Sequence, residues 1–239
     1  MKDVCTVDKV YNTAMLAAKY IKTHGKVDKQ AKVLGVGYQG MVDEIKREGF
    51  ENAELLIKDN DARNAQCGIT DEEFRDFPVD KSVKALIKGP TVYFDFRELT
   101  LATLYVQDPE VLFVATNEDI TYCTGDSRRK MPDVGATLIA IEVATGRKAT
   151  KVGKPEPFGL QIMLEDHFAS ERERWNDKDF LSQFLMIGDN LKTDIKFGKN
   201  TSIDTLLVLS GITTEKDIEQ IKAVKPDHVM HILAHETAK

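Results

Sequence analysis

FLMIGDNLKTDIKFGKNTSIDTLLVLSGI, residues 184–212, contains two apolar runs, Phe184–Ile187 and Thr205–Leu209. Both are too short for ordinary helices and turn-formers bound each, so they read as buried parallel strands. The first ends in Gly188-Asp189-Asn190, which delivers a carboxylate at the carboxyl end of a strand, where open α/β sheets place their ligands. Asp194 follows within one helical turn. Upstream, Val152-Gly153-Lys154-Pro155 sets a lysine at a tight turn before an expected helix Phe158–Phe168, whose amino end favours anions. A lysine and a carboxylate pair around such a site point to phosphate with a divalent metal. Mg²⁺ takes hard oxygen ligands, and an ammonium point charge suits a phosphoryl oxygen.

The chain has 239 residues, 42% hydrophobic and 30% charged, enough for one large core or two modest ones. A net charge of -6 gives no electrostatic footprint for nucleic acid or anionic membrane. No apolar run approaches the ~20 residues that span a bilayer, and MKDVCTVDKV lacks the apolar centre of a signal peptide. Cys5, Cys67 and Cys123 are odd in number and far apart, the pattern of free thiols in a reducing compartment. A cytoplasmic protein is expected.

Near the amino end, Asp8 is placed to cap a helix whose apolar positions Val10, Tyr11, Ala14, Met15, Ala18 and Ile21 follow a 3.6-residue period, with Gly25 as the stop. A short strand, Ala31–Leu34, leads into Gly35-Val-Gly37-Tyr-Gln-Gly40 and a helix over about 41–48. This GxGxxG, with Asp59 about 20 positions on, admits a dinucleotide-binding reading; a Rossmann unit opens with its strand and not a helix, which favours a plain turn.

The order GKP, GDNLKTD, FG and DTLLVLSGI resembles the haloacid-dehalogenase (HAD) superfamily of phosphatases, in the branch of the 4-nitrophenylphosphatases, phosphoglycolate phosphatases and pyridoxal phosphatases. Val111–Asp119 (VLFVATNED) and Gly135–Arg147 (GATLIAIEVATGR) share the likeness. The resemblance implies an HAD-like doubly wound parallel core, N-terminally incomplete, over residues 1–48 and 148–239, with an inserted α/β cap domain at 49–147. It makes Lys154 the phosphate lysine and Asp189 and Asp194 the metal carboxylates, with Mg²⁺ as cofactor. Asn117, Asp119 and Asn190 become candidates for substrate contact, against the alternative of plain Asn/Asp turns.

Within 49–147, strands are expected at Glu54–Ile57, Thr91–Phe96 and Val111–Thr116, then a helix at Gly135–Thr145. Asp95 would end a strand but lacks a second carboxylate two residues on, and Asp59-Asn-Asp61 sits in a polar run that reads as a solvated loop. Arg128-Arg129-Lys130 reads as a solvated charge run, and Ala169–Asp179 (ASERERWNDKD) as a charged surface loop.

The family's reaction uses an aspartate nucleophile in a DxDG motif after the first strand, and a later TNN-type motif for the phosphoryl oxygens. Neither pattern occurs in this sequence. The resemblance thus implies hydrolysis of small phosphomonoesters, with this chain inactive by itself for want of the nucleophile. The alternative is a pseudo-phosphatase serving as a binding or structural subunit, and a dinucleotide-binding protein is more distant. The slot beside Leu185–Ile187 is expected to be closed by rearranged pairing, with Ala31–Leu34 moved inward, or filled by another chain, because buried unpaired backbone groups cost ~1–3 kcal/mol each.

Overall fold

The computed structural model describes residues 6–57, 69–123, 129–220 and 224–231. The chain divides into two compact units, Met1–Gly153 and Lys154–Lys239.

In the first unit, α1 (Thr13–Thr23) buries Leu16, Ala17, Ala18 and Ile21. Its cap is Asn12, whose side chain accepts from the Met15 amide at 2.8 Å, and not Asp8, which lies in a separate 3-10 turn. There follow β1 (Lys32–Val36), α2 (Gln39–Arg47), β2 (Ala53–Leu55), α3 (Asp71–Arg75), β3 (Val83–Lys88), α4 (Phe96–Val106), β4 (Leu112–Ala115), β5 (Thr121–Cys123), β6 (Lys130–Pro132), α5 (Val134–Thr145) and β7 (Thr150–Lys151). The parallel strands form one sheet in the order β2-β1-β3-β4-β7, and β5 and β6 make a separate antiparallel pair. Its core joins Leu34, Leu86, Val106, Phe113, Leu138 and Ile141. Leu138 and Ile141 are 1% and 0% exposed, and side chains of this size contribute about 1.5–3 kcal/mol each when fully buried.

Several expectations change here. Residues 1–48 were grouped with 148–239, but β1 pairs on one side with β2 and on the other with β3, so this segment belongs to the sheet of the first unit. Nor does β1 pair with β8: the two belong to different sheets. The strand expected at Thr91–Phe96 is absent: Val92, Tyr93 and Phe96 are 62–65% exposed, and Asp95 caps α4 by accepting from the Glu98 amide at 2.8 Å. The strand is instead Val83–Lys88, whose two lysines interrupt an otherwise apolar run. Of the GxGxxG glycines only Gly37 lies in the strand-to-helix turn between β1 and α2, Gly35 being within β1 and Gly40 within α2, and α1 precedes them. Asp59-Asn60-Asp61, Arg128 and the thiols Cys5 and Cys67 lie outside the described residues.

The second unit holds α6 (Phe158–His167), a 3-10 stretch Ala169–Arg174, α7 (Lys178–Leu181), β8 (Leu185–Gly188), α8 (Lys196–Thr201), β9 (Asp204–Val208), α9 (Glu215–Gln220) and β10 (His228–Met230). The three strands are parallel in the order β10-β9-β8. The charged segment expected as a surface loop is coiled and tethered: Trp175 donates from Nε1 to the Phe168 carbonyl at 3.1 Å, beside edge-on contacts among Phe168, Phe180 and Phe184. Between β8 and α8 the chain makes a π-helical turn, Leu191–Ile195, where a regular helix was expected.

β9 is buried as expected, but β8 is not. It pairs only with β9 among the described strands, and Leu185 and Ile187 are 48% and 42% exposed. The expected closure beside this strand by the Ala31–Leu34 segment is therefore overturned: among the described strands β8 is an edge, with one row of backbone groups facing away from the sheet.

Candidate active site

The site is built where β8 ends. Gly188 brings the backbone hard against Asp194, since a Cβ there would stand 2.3 Å from the Asp194 Cγ. The π-helical turn supplies the geometry: Asp194 N and Ile195 N both donate to the Asn190 carbonyl, at 2.9 and 3.2 Å, which swings the Asp194 side chain back under the loop. There its Oδ2 accepts from the amides of Asp189 and Asn190, each at 3.1 Å. Its Oδ1 accepts from Lys154 Nζ at 2.6 Å.

Asp194 is buried, its side chain 6% exposed, whereas that of Lys154 is 49% exposed. The pair thus resembles a fixed socket holding a wet cation. Three donors occupy the Asp194 carboxylate, so this residue, expected as a metal ligand, has the geometry of a positioning residue for Lys154 and for the Gly188–Asn190 turn. Asn190, expected at the substrate, uses its Oδ1 to accept from the Lys192 amide at 2.9 Å and so caps the turn.

Asp189 is held from the other side. Its Oδ2 accepts from the Ile212 amide at 2.8 Å, and its carbonyl accepts from the Thr213 amide at 3.1 Å. Gly211 permits the approach, because a Cβ there would meet Asp189 Oδ2 at 1.9 Å. Thr213 Oγ1 also takes the Leu191 amide, at 3.4 Å. The Gly211–Thr213 segment was legible only as the end of a strand motif; the clue was a glycine directly after Ser210 at the carboxyl end of β9.

Lys154, Asp189, Asn190 and Asp194 therefore come together in one unit, across 40 residues of sequence for the lysine pair. The remaining oxygen of Asp189, Oδ1, is the carboxylate atom in this cluster without a protein donor among the described residues. As a test of fit for Mg²⁺ this gives one ligand: no group of three or more His, Cys, Asp or Glu side chains is placed to hold a metal among the described residues. A hexacoordinate ion that keeps several waters needs at least one further carboxylate or a substrate oxygen, so these residues alone do not fit a complete magnesium site.

Asn117 and Asp119 belong to the first unit, in the turn that follows β4. The Asn117 Oδ1 is buried without a hydrogen-bond partner among the described residues. The Asp119 carbonyl accepts from the Gly135 amide at 2.8 Å, which fastens the turn to the start of α5. None of the parallel strands among the described residues is followed directly by a pair of carboxylates: β1, β2, β3, β4, β7, β9 and β10 are followed by Gly37, Leu56, Gly89, Thr116, Val152, Leu209 and His231, and β8 by Asp189 alone. No helix of the described residues is long and apolar enough to cross a membrane.

Comparison with known proteins places this cluster in context. A HAD-hydrolase-like family model matches residues 151–235. Phosphoglycolate phosphatase 2 of Arabidopsis thaliana is 31% identical over 225 residues, covering 93% of this chain and 69% of that protein. The 4-nitrophenylphosphatase of Schizosaccharomyces pombe is 29% identical over 230 residues, 95% of this chain and 72% of that protein. Among solved structures, a double-mutant thermostable NPPase from Geobacillus stearothermophilus superposes with a TM-score of 0.68 at 25% identity, covering 95% of this chain and 73% of that one.

Proposed function

Since the chain belongs to the HAD-type phosphatases, we propose that it serves the Mg²⁺-dependent hydrolysis of small phosphomonoesters of the 4-nitrophenyl phosphate, phosphoglycolate and pyridoxal phosphate class. The observation that carries this reading is the Lys154–Asp194–Asp189 cluster at the carboxyl end of β8. Lys154, steered by Asp194, presents an ammonium to a phosphoryl oxygen, where a fixed positive charge strengthens as negative charge develops. Asp189 would contribute Oδ1 as one of the several oxygens that a magnesium ion needs, and such an ion would supply Lewis-acid chemistry there. Asn117, Asp119 and Asn190 are the residues proposed for substrate contact.

The proposal includes a partner for β8. Its unpaired edge and the exposed Leu185 and Ile187 suit a parallel apolar strand from a segment outside residues 1–239 or from another chain, which would also bring the aspartate nucleophile. Residues 1–239 by themselves are then inactive. The same open edge supports a second reading, a pseudo-phosphatase whose fold acts as a binding or structural subunit.

Turnover of 4-nitrophenyl phosphate with Mg²⁺, by residues 1–239 and by the same chain carrying any native upstream segment, separates these readings. The phosphatase reading expects background turnover from the first and Mg²⁺-dependent turnover from the second, abolished by Asp189→Ala or Lys154→Ala. Background turnover from both supports the pseudo-phosphatase. Turnover by residues 1–239 that is abolished by Asp189→Ala overturns the inactivity of this chain.

A further inference from the structure

At the carboxyl end of β3 the first unit buries a lysine. Lys88 is 0% exposed, and Glu98, in the first turn of α4, is 9% exposed. Lys88 Nζ donates to the Gly89 carbonyl at 2.6 Å and stands 5.6 Å from the centre of the Phe94 ring. Among the described residues no direct hydrogen bond joins it to Glu98, whose buried Oε2 has no partner there. Two opposite charges are thus enclosed together without the contact that would compensate their loss of water. The other charged groups facing them are few: Asp133, the cap of α5, acts on Lys88, and Asp95, the cap of α4, acts on Glu98.

These two residues bracket one segment, 89–97, which crosses from sheet to helix. It is fastened by Lys88 beneath Gly89 and Phe94 and by the Tyr38 amide, which donates to the Pro90 carbonyl at 3.0 Å. Its other large apolar side chains, Val92, Tyr93 and Phe96, are exposed and contribute little to holding it down.

We propose that Lys88 and Glu98 form a proton-operated latch on the segment Gly89–Phe96, loosest when both side chains are charged and tighter when either is neutral. Burial drives both towards neutrality. It lowers Lys88 to about 8 against the opposing pull of Glu98 and Asp133, and raises Glu98 to about 7 against Lys88, with Asp95 adding to the rise. Glu98 is protonated more readily in the closed segment than in the open one, so closure is favoured as pH falls below about 7. Lys88 loses its proton more readily when closed, so closure is also favoured as pH rises above about 8. The latch is therefore weakest between the two, near neutral pH.

Amide hydrogen exchange on the whole chain, corrected for intrinsic rates, tests this through peptides covering 89–99. With open-state values of 4.5 and 10.5 for Glu98 and Lys88, opening near pH 7.5 should exceed that at pH 5.5 and at pH 9.5 by roughly 15- to 20-fold each. Glu98→Gln should abolish the acidic limb and keep the alkaline one; Lys88→Met should do the reverse. A flat or monotonic profile overturns the proposal, as does a Glu98→Gln protein that keeps its acidic limb. Should Lys88→Met fail to fold, the carboxyl carbon of Glu98, followed by NMR in the unsubstituted protein, serves instead: titration below pH 5 would refute the latch.

Discussion

Asp194→Ala is the most direct probe of the site's construction. The substitution removes the acceptor of three hydrogen bonds, from the Asp189 and Asn190 amides at 3.1 Å and from Lys154 Nζ at 2.6 Å. Each orphaned backbone donor costs about 1–3 kcal/mol where water cannot reach it. Lys154 is half exposed and regains water, so the severe penalty for stranding a buried charge applies only to the carboxylate side, which the mutation deletes. A loss of about 2–4 kcal/mol follows, a large part of the ~5–15 kcal/mol that holds a typical domain together. Asp194→Asn should lose less, about 1 kcal/mol, because its amide oxygen still accepts from the two backbone donors. The assay is urea unfolding followed by Trp175, the sole tryptophan, which lies in the same unit as the site. A loss under 1 kcal/mol for the alanine variant would refute the reasoning. Equal losses for both variants would show that charge, and not acceptor geometry, holds the turn.

Gly211→Ala should displace the Asp189 carboxylate, since the new Cβ would stand 1.9 Å from its Oδ2, and leave the Ile212 amide without its acceptor. The expected cost is about 1–3 kcal/mol in the same unfolding assay, and a neutral result would count against the close approach. Asp227, held by Lys199 and then by Thr205, has its carboxyl lowered to about 2. Its stabilising contribution is therefore full above the ordinary value of 3.8 and is lost as pH falls from there through about 2, and Asp227→Asn should remove this component from the acid-unfolding curve. Calorimetry of residues 1–239 with MgCl₂ should show weak binding or none, because Asp189 supplies one ligand; tight binding would mean that further oxygens converge on the ion.

Local chemistry made much of this protein readable from its sequence. The run LMIG ended by Asp189 marks a strand that carries a carboxylate to its end, and the apolar period of α1 and the GKP turn both act over a few residues. The order of these short motifs was enough to recognise the phosphatase family, because each encodes a piece of backbone geometry in its own spacing.

The tertiary structure alone decided which strands pair and what each carboxylate touches. β1 carries no mark of its partners, and it lies between β2 and β3, which pair in parallel with its two edges and moved residues 1–48 out of the expected grouping. The two lysines of Val83–Lys88 hid a central strand, since a buried ammonium is tolerated only where Phe94, the Gly89 carbonyl and Glu98 surround it. Asp194 looked like a metal ligand by its nearness to Asp189 in sequence. What its carboxylate meets in the structure is the lysine 40 residues upstream and the two amides of the turn that the π-helical stretch brings under it. Such contacts depend on distances closed by the fold as a whole, and no local pattern of residue types records them.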